Sequence, residues 1–303
     1  IAMWQAKNSG PDHHRFYSPG SETRICRRLE MEARLRRALR LGELELYYQP
    51  QTSLADGAIK SVEALLRWNS PDLGRVSPAE FIPLAEETGL IHSIGAWVIE
   101  TACAQARDWR KADRRPVKMC INVSAQQLNQ GLIDTVSRVL ARTGLSPAGL
   151  ELEITESVMG ARDPDTEAAL QSLRALGIGF ALDDFGTGYS SFEYLKRLPL
   201  RTLKLAGSFV SGVCDNAEDA AIVAASISLA RNLGLRTVAE GVETAAQHER
   251  LRTLGREDGQ GYYLCRPLPA AALEKRLGAN PQAFQAERTR LANFPSPRRT
   301  GRR

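Results

Sequence analysis

Residues 150–205, LELEITESVMGARDPDTEAALQSLRALGIGFALDDFGTGYSSFEYLKRLPLRTLKL, alternate between two kinds of pattern. Leu150–Ile154, Ile178–Leu182 and Thr202–Leu205 are short and rich in β-forming residues, whereas Asp165–Leu176 repeats its apolar residues at helical spacing. Strand, helix, strand in that order reads as a parallel βαβ unit, because parallel neighbours need a long crossover. The rhythm continues outward. Further strand patterns lie at Leu44–Gln49, Ser61–Trp68, Val117–Val123, Thr237–Ala239 and Gly261–Leu264. Helical patterns lie at Pro78–Glu87 and on to Arg110, and at Leu132–Thr143, Ala217–Leu233 and Thr244–Leu254. Eight strands mostly separated by helices predict an α/β fold, a TIM-like (β/α)8 barrel, over residues 43–280. Thr52–Lys60 is too short for a helical crossover, so the first two strands are predicted to form a hairpin with Asp56-Gly57 in its turn. The first strand would then run antiparallel to the rest.

Of the 303 residues, 43% are hydrophobic and 25% charged, which permits a sizeable core and excludes wholesale disorder. No apolar run approaches the ~20 residues that cross a bilayer, and no signal peptide opens the chain. The five cysteines are scattered without a CxxC pair, which argues against a disulfide framework or zinc knot and for a reducing, cytoplasmic setting. The net charge of +5 sits at the ends. Residues 1–40 carry nine Lys/Arg against four Asp/Glu, and 293–303 carry four Arg and no acid, leaving 41–292 at −4. A mildly acidic body argues against a DNA-binding face.

Residues 21–42 read as an arginine-rich linker helix, with Ile25, Leu29, Ala33 and Leu39 at helical spacing and Gly42 as its C-cap. Residues 1–20 begin without a helix start signal and read as the remnant of an upstream domain. Residues 281–303, ending PSPRRTGRR, read as a tail expected to be disordered towards its end.

Barrel chemistry collects at the C-terminal ends of the strands. Those ends or near-ends carry Glu63, Asn122, Glu153 with Glu156, Asp183 with Asp184, Lys204, and Glu240 with Glu243, with Gln260 beside the last strand. The four histidines, His13, His14, His92 and His248, fall in the N-terminal stretch or in helical patterns. Carboxylates and an amide carbonyl are hard oxygen donors that suit Mg2+ or Mn2+ rather than zinc or copper. Glu63, Asn122, Glu153 and Asp183 would form one oxygen shell, and Asp184, adjacent to Asp183, could reach a second ion. Two ions about 3.5–4 Å apart are the usual arrangement for in-line phosphodiester hydrolysis. Lys204 adds a fixed positive charge that could orient water or offset phosphoryl charge; its plain alternative is an ion pair with a neighbouring carboxylate. The strand ending in Asp183-Asp184 enters the glycine-rich stretch Phe185-Gly186-Thr187-Gly188-Tyr189-Ser190-Ser191, whose glycines let backbone approach a phosphate.

These segments resemble the EAL-domain cyclic di-GMP phosphodiesterases. The residues that carry the likeness span about 43–270: YYQPQ (47–51), EALLRW (63–68), SPAEFIPLAEETG (77–89), NVS (122–124), LEITES (152–157), DDFGTGYSSF (183–192), LK (203–204), AEGVE (239–243) and QGYYLCRP (260–267). The resemblance implies a TIM-like barrel with an antiparallel first strand. It also implies metal-dependent hydrolysis of cyclic di-GMP to linear pGpG by a metal-activated water, with two Mg2+ or Mn2+ per site. It casts Glu63, Asn122, Glu153 and Asp183 as ligands of one ion and Asp183, Asp184 and Glu240 as the surroundings of the other. Lys204, Glu63, Glu240 and Gln260 become the catalytic set, with Lys204 and Gln260 beside the attacking water. Gln49, Arg67, Asp184 and Glu243 become substrate contacts, and Glu156 and Glu243 hold the 184–191 loop. The resemblance further implies a homodimer. Residues 1–20, IAMWQAKNSG and RFYSP, are similar to the end of a GGDEF domain, so an upstream GGDEF-like domain is expected in a longer chain that could be membrane-anchored further upstream.

Two departures stand out. Ala206 occupies the position, two residues after Lys204, where the family usually carries Asp, and Arg256-Glu257 replaces its usual Cys-Asp. The missing carboxylate at 206 leaves a second reading open, a catalytically silent cyclic di-GMP receptor. The intact set of acids weighs against it, since acids without cations repel an anionic ligand.

Overall fold

A computed structural model describes residues 19–112, 114, 117–156, 158, 163–188, 195, 198–255 and 258–278. The readings of residues 1–18, of 189–191, of Arg256-Glu257 and of the tail from 281 lie outside those residues. The described residues fall into two compact units, 46–66 with 92–278, and 19–45 with 67–91.

The first unit is the barrel. Its strands are β1 (Leu44–Ser53), β2 (Ile59–Ser70), β4 (Lys118–Asn122), β5 (Leu150–Thr155), β6 (Gly179–Phe185), β7 (Leu200–Leu205), β8 (Arg236–Ala239) and β9 (Asp258–Gly259). A three-residue β3 (Gly74–Val76) and a two-residue β10 (Leu268–Pro269) extend the sheet outside the ring. From β2 through β4 to β9 every neighbouring pair is parallel, while β1 lies antiparallel against β9 and closes the ring by pairing with β2. The β1–β2 turn places Gly57 at φ +73°, a conformation glycine adopts without a steric penalty. Crossover helices include α3 (Leu90–Lys111), α4 (Gln130–Thr143), α5 (Pro164–Ala175), α7 (Ala217–Asn232) and α8 (Ala245–Thr253), with the short α6 (Gly207–Gly212) after β7 and α9 (Ala270–Leu277) after β10. Asn129, Asp163, Asn216 and Thr244 cap four of these helices by accepting backbone N–H groups.

The last barrel strand is not where composition put it. Gly261–Leu264 is a turn, and Asp258–Gly259 supplies the strand. Tyr262 and Tyr263 look β-forming, but the backbone around them is committed elsewhere. Val242 N–H donates to the Gln260 carbonyl (3.0 Å), Tyr263 N–H to the Val242 carbonyl (3.0 Å), and Leu264 and Cys265 N–H both to the Gly261 carbonyl. A Cβ at Gly261 would stand 2.2 Å from Val242 O, so only glycine fits that crossing.

The second unit holds α1 (Pro19–Leu41), the ends of β1 and β2, β3, and α2 (Pro78–Glu87). The buried face of α1 is Met31, Leu35 and Ala38; Leu29 is 61% exposed and Ala33 is exposed, so the stripe lies round the helix from the one the spacing suggested. Arg27 and Arg28 pair with Glu80 and Glu87 of α2, which turns the arginine-rich side towards acids rather than water alone. Trp68 stacks edge-on against Phe81 at 5.6 Å and donates its indole N–H to Glu43 Oε2 at 2.9 Å. Gly42, at φ +69°, ends α1 in the left-handed region. No described helix is long and apolar enough to cross a membrane.

Candidate active site

Period-2 alternation decides which strand residues face the barrel interior. On β5 it turns Glu151 and Glu153 inward, both essentially without exposure. In the parallel register Asn122 lies beside Glu153, and Glu63 lies one strand further round on β2. Lys204, on β7, is fully buried and enclosed by acids. Its Nζ lies 2.5 Å from Glu153 Oε2, 2.7 Å from Glu240 Oε1, 3.0 Å from Asp183 Oδ1 and 3.6 Å from Glu63 Oε2. Four carboxylates from four chain segments thus meet at one ammonium. Two amides complete the ring: Asn122 Nδ2 donates to Glu63 Oε1 (2.6 Å), and Gln260 Nε2 donates to Glu63 Oε2 (2.5 Å) and Gln49 Oε1 (3.1 Å). Gln49 Nε2 in turn donates to the Cys265 carbonyl at 3.0 Å.

The fields follow from that crowding. Burial and the Glu63 charge push Glu153 well above the usual carboxylate range, although Lys204 opposes them. Burial pushes Glu240 up to about 8 against the pull of Lys204, with Asp183 and Glu63 adding to the rise. Burial and the adjoining Asp183 also raise Asp184. Glu63 goes the other way: burial opposes its charge, but Lys204 and the amides of Gln260 and Asn122 outweigh burial and hold it below its ordinary value. Lys204 is held well above the ordinary lysine value, since the surrounding carboxylates overcome the cost of burying it. Burial thus opposes the charge on Glu153, Glu240 and Asp184, and a bound cation would favour it.

Ligand atoms of Asp183, Asp184 and Glu240 lie within 4.8 Å of one another. The donors are all oxygens, as Mg2+ and Mn2+ require. Gln260 Oε1 is buried with no hydrogen-bond partner, and an orphaned buried acceptor beside such a cluster is what a bound ion or water would satisfy. The residues present fit a divalent cation.

At the end of β6 the backbone is strained. Asp184, at φ +52°, is the one described non-glycine residue in the left-handed region, and strain of this kind gathers at functional sites. Gly186 follows at φ +97°, and its N–H donates to Glu156 Oε1 at 2.9 Å. Beside the acids lies a pocket of about 190 Å³, lined by Gln49, Glu240, Gly241, Glu243, Gln260, Gly261 and Tyr262. Glu243 is fixed through its backbone N–H, which Gln247 Oε1 accepts at 2.8 Å. The turns after β7 and β8 meet backbone to backbone: a Cβ at Gly241 (φ +66°) would stand 3.1 Å from Gly207 Cα.

A family profile described as EAL domain matches residues 32–267. The chain belongs to the EAL domain family. Among relatives of this EAL domain, the bifunctional diguanylate cyclase/cyclic di-GMP phosphodiesterase MucR of Pseudomonas aeruginosa is 44% identical over 274 residues, 90% of this chain and 40% of its own length. The cyclic di-GMP phosphodiesterase NbdA of the same organism is 42% identical over 280 residues, covering 92% of this chain and 36% of its own length. The chain thus spans well under half of either relative. A solved structure of PaMucR phosphodiesterase in complex with c-di-GMP superposes with a TM-score of 0.77 at 46% identity, covering 80% of this chain and 99% of that one.

The barrel of this EAL domain therefore brings Glu63, Asn122, Glu153, Asp183, Lys204, Glu240, Gln49 and Gln260 into one cluster, with Asp184 at its edge and Glu156 bonded to the loop backbone. Arg67 is half-buried on the part of β2 that belongs to the other compact unit, and its place in a site stays an expectation from sequence. Ala206, 2% exposed, N-caps α6 with no side-chain cap. Two kinds of residue escaped the sequence reading. Tyr262, 53% exposed, lines the pocket with the Arg266 guanidinium 4.4 Å above its ring, in a segment read as strand. Gln51 and Arg236 face inward below the strand ends, away from the positions where barrel chemistry collects; Gln51 follows Gln49 at strand period, which is the signal that could have found it.

Proposed function

We propose that this EAL domain hydrolyses cyclic di-GMP to linear pGpG, with two Mg2+ or Mn2+ held among its acids. The observation that carries the proposal is the buried Lys204 ammonium ringed by Glu63, Glu153, Asp183 and Glu240 beside a pocket. Glu63, Asn122, Glu153 and Asp183 would hold one cation, and Asp183, Asp184 and Glu240 the other. Bound cations would supply positive charge to phosphoryl oxygens and make water more acidic.

The chain's own groups do the rest. Lys204 keeps its proton, and its N–H groups would be donors to water or a phosphoryl oxygen beside the acids. Gln260 cannot rotate, because its Nε2 is bonded to Glu63 and Gln49, so its unpaired Oε1 is a fixed acceptor that orients water. Glu63, kept ionised, accepts from two amides and holds both in place. Glu156, through Gly186 N–H, sets the course of the loop that starts at Asp184. Gln49, Arg67, Asp184 and Glu243 serve as substrate contacts, with Glu243 also steadying the loop. The name of MucR couples cyclase and phosphodiesterase, which supports a GGDEF-like neighbour upstream, with residues 1–20 its remnant and 21–42 the linker. A homodimer and a cytoplasmic setting complete the proposal.

The test is incubation of the purified chain with cyclic di-GMP and Mn2+, with products resolved by chromatography. Linear pGpG is expected; binding without turnover at any metal concentration would favour the receptor reading, for which Ala206 is the one structural argument. Ala206→Asp separates the two further. A carboxylate there would cap α6 and stand beside the Gly207–Gly241 crossing that carries Glu240. Mn2+ affinity and turnover are expected to rise by on the order of tenfold. Unchanged rates would show that the alanine carries no functional weight.

A further inference from the structure

Barrel interiors of this kind are ordinarily filled by branched aliphatic side chains. Below the acid cluster this one is polar. Gln51, fully buried on β1, uses both ends of its amide. Its Oε1 accepts from the Ser61 hydroxyl at 2.6 Å and from the Arg236 guanidinium at 3.3 Å. A guanidinium can only donate, so the carbonyl must face it, and Nε2 is left pointing upward to Glu153 Oε1 at 3.3 Å. Arg236 is itself fixed. It donates to Ser61 Oγ at 3.2 Å and lies 3.4 Å from Asp258 Oδ2 and 3.6 Å from Glu151 Oε1, while Lys118 Nζ holds Glu151 Oε2 at 2.5 Å. Lys118 and Arg236 balance Glu151 and Asp258, so this base presents no net charge to the acids above.

Glu153 is thereby gripped from two sides, Oε2 by Lys204 and Oε1 by Gln51. Each oxygen has its own donor, which fixes the plane of the carboxylate. A well-packed apolar core at this level would be at least as stable as a buried ionic one, so stability alone does not account for the arrangement.

We propose that Gln51, itself oriented by Arg236, is a positioning residue that holds the Glu153 carboxylate in the orientation needed for cation binding. The proposal rests on the reading of the acid cluster as a divalent-cation site. Without Gln51, Oε1 would be buried with no donor, and the carboxylate would be free to turn out of the plane that the two donors set.

The experiment is Mn2+ titration of the full chain without nucleotide, by calorimetry and by the electron paramagnetic resonance signal of free Mn2+, alongside circular dichroism and melting of the metal-free protein. Gln51→Met keeps length and removes both amide ends. Its Mn2+ dissociation constant is expected to rise by about 10–100-fold with the fold retained. Arg236→Lys keeps the charge but loses the fork and is expected to shift affinity in the same direction by a smaller factor. A merely structural role would lower the melting temperature and leave Mn2+ affinity where it was. Folded Gln51→Met binding Mn2+ within about twofold of wild type would overturn the proposal. Should Gln51→Met fail to fold, Arg236→Lys decides: weakened binding supports the proposal and unchanged binding overturns it. Wild type that binds no Mn2+ would overturn the cation-site reading itself, and this proposal with it.

Discussion

Lys204→Met is expected to lower turnover of cyclic di-GMP by about 10²–10³-fold, the usual cost of removing one fixed donor from a charge-stabilising site. It is also expected to weaken the metal-free protein in a way that depends on pH. Methionine matches the stem of the lysine but leaves Glu63, Glu153, Asp183 and Glu240 without the ammonium that lies 2.5–3.6 Å from them. Stripping one partner from a buried ion pair costs about 3–5 kcal/mol. The acids can recover part of that by taking up protons, and Glu153 and Glu240 are already raised and ready to do so. The melting deficit of the variant should therefore be large at pH 8, shrink towards pH 5, and shrink again when Mn2+ is added at pH 8. A deficit independent of both pH and Mn2+ would mean that Lys204 is not the counter-charge of the cluster. Retained turnover would remove it from the catalytic set.

The cluster was legible because the strand–helix rhythm gives a barrel and barrels carry their chemistry at or near the C-terminal strand ends, where Glu63, Asn122, Glu153, Asp183, Lys204 and Glu240 fall. The antiparallel first strand was legible from connection length alone. Residues whose importance lies in tertiary pairing were not. Strand period from Gln49 turns Gln51 inward, but nothing local shows its pairing with Arg236, which lies 185 residues away in sequence. The Gly261–Leu264 turn misled because aromatic composition is a weak guide when a neighbouring backbone, here Val242, already claims the hydrogen bonds. The face of α1 was misjudged for a related reason. Apolar residues on an arginine-rich helix permit more than one stripe, and the choice of Met31, Leu35 and Ala38 is made by packing.

Chelation of divalent cations is expected to end turnover completely and to leave a protein whose stability falls as the pH rises. The proton on Glu240 decides the sign. Its folded-state value near 8 lies above the ordinary 4.5, so the folded chain binds that proton more tightly than the unfolded chain does. The associated stability is complete below about pH 4.5 and is lost progressively as the pH rises through about 8. Glu153 and Asp184, raised as well, act in the same direction. Glu63, held below its ordinary value, acts in the opposite direction but only below about pH 4.5, outside the working range. One carboxyl gives at most about 1.4 kcal/mol per pH unit, or roughly 3–5 °C of melting temperature for a domain of this size. A divalent cation removes the need for those protons, so Mn2+ should raise the melting temperature more at pH 8.5 than at pH 5.5, where it must displace them. The Mn2+-loaded protein should accordingly show a flatter melting profile across that range than the chelated one. A chelated sample that melts at one temperature from pH 5.5 to 8.5, or that goes on hydrolysing cyclic di-GMP, would show that Glu240 and its neighbours do not form a cation site.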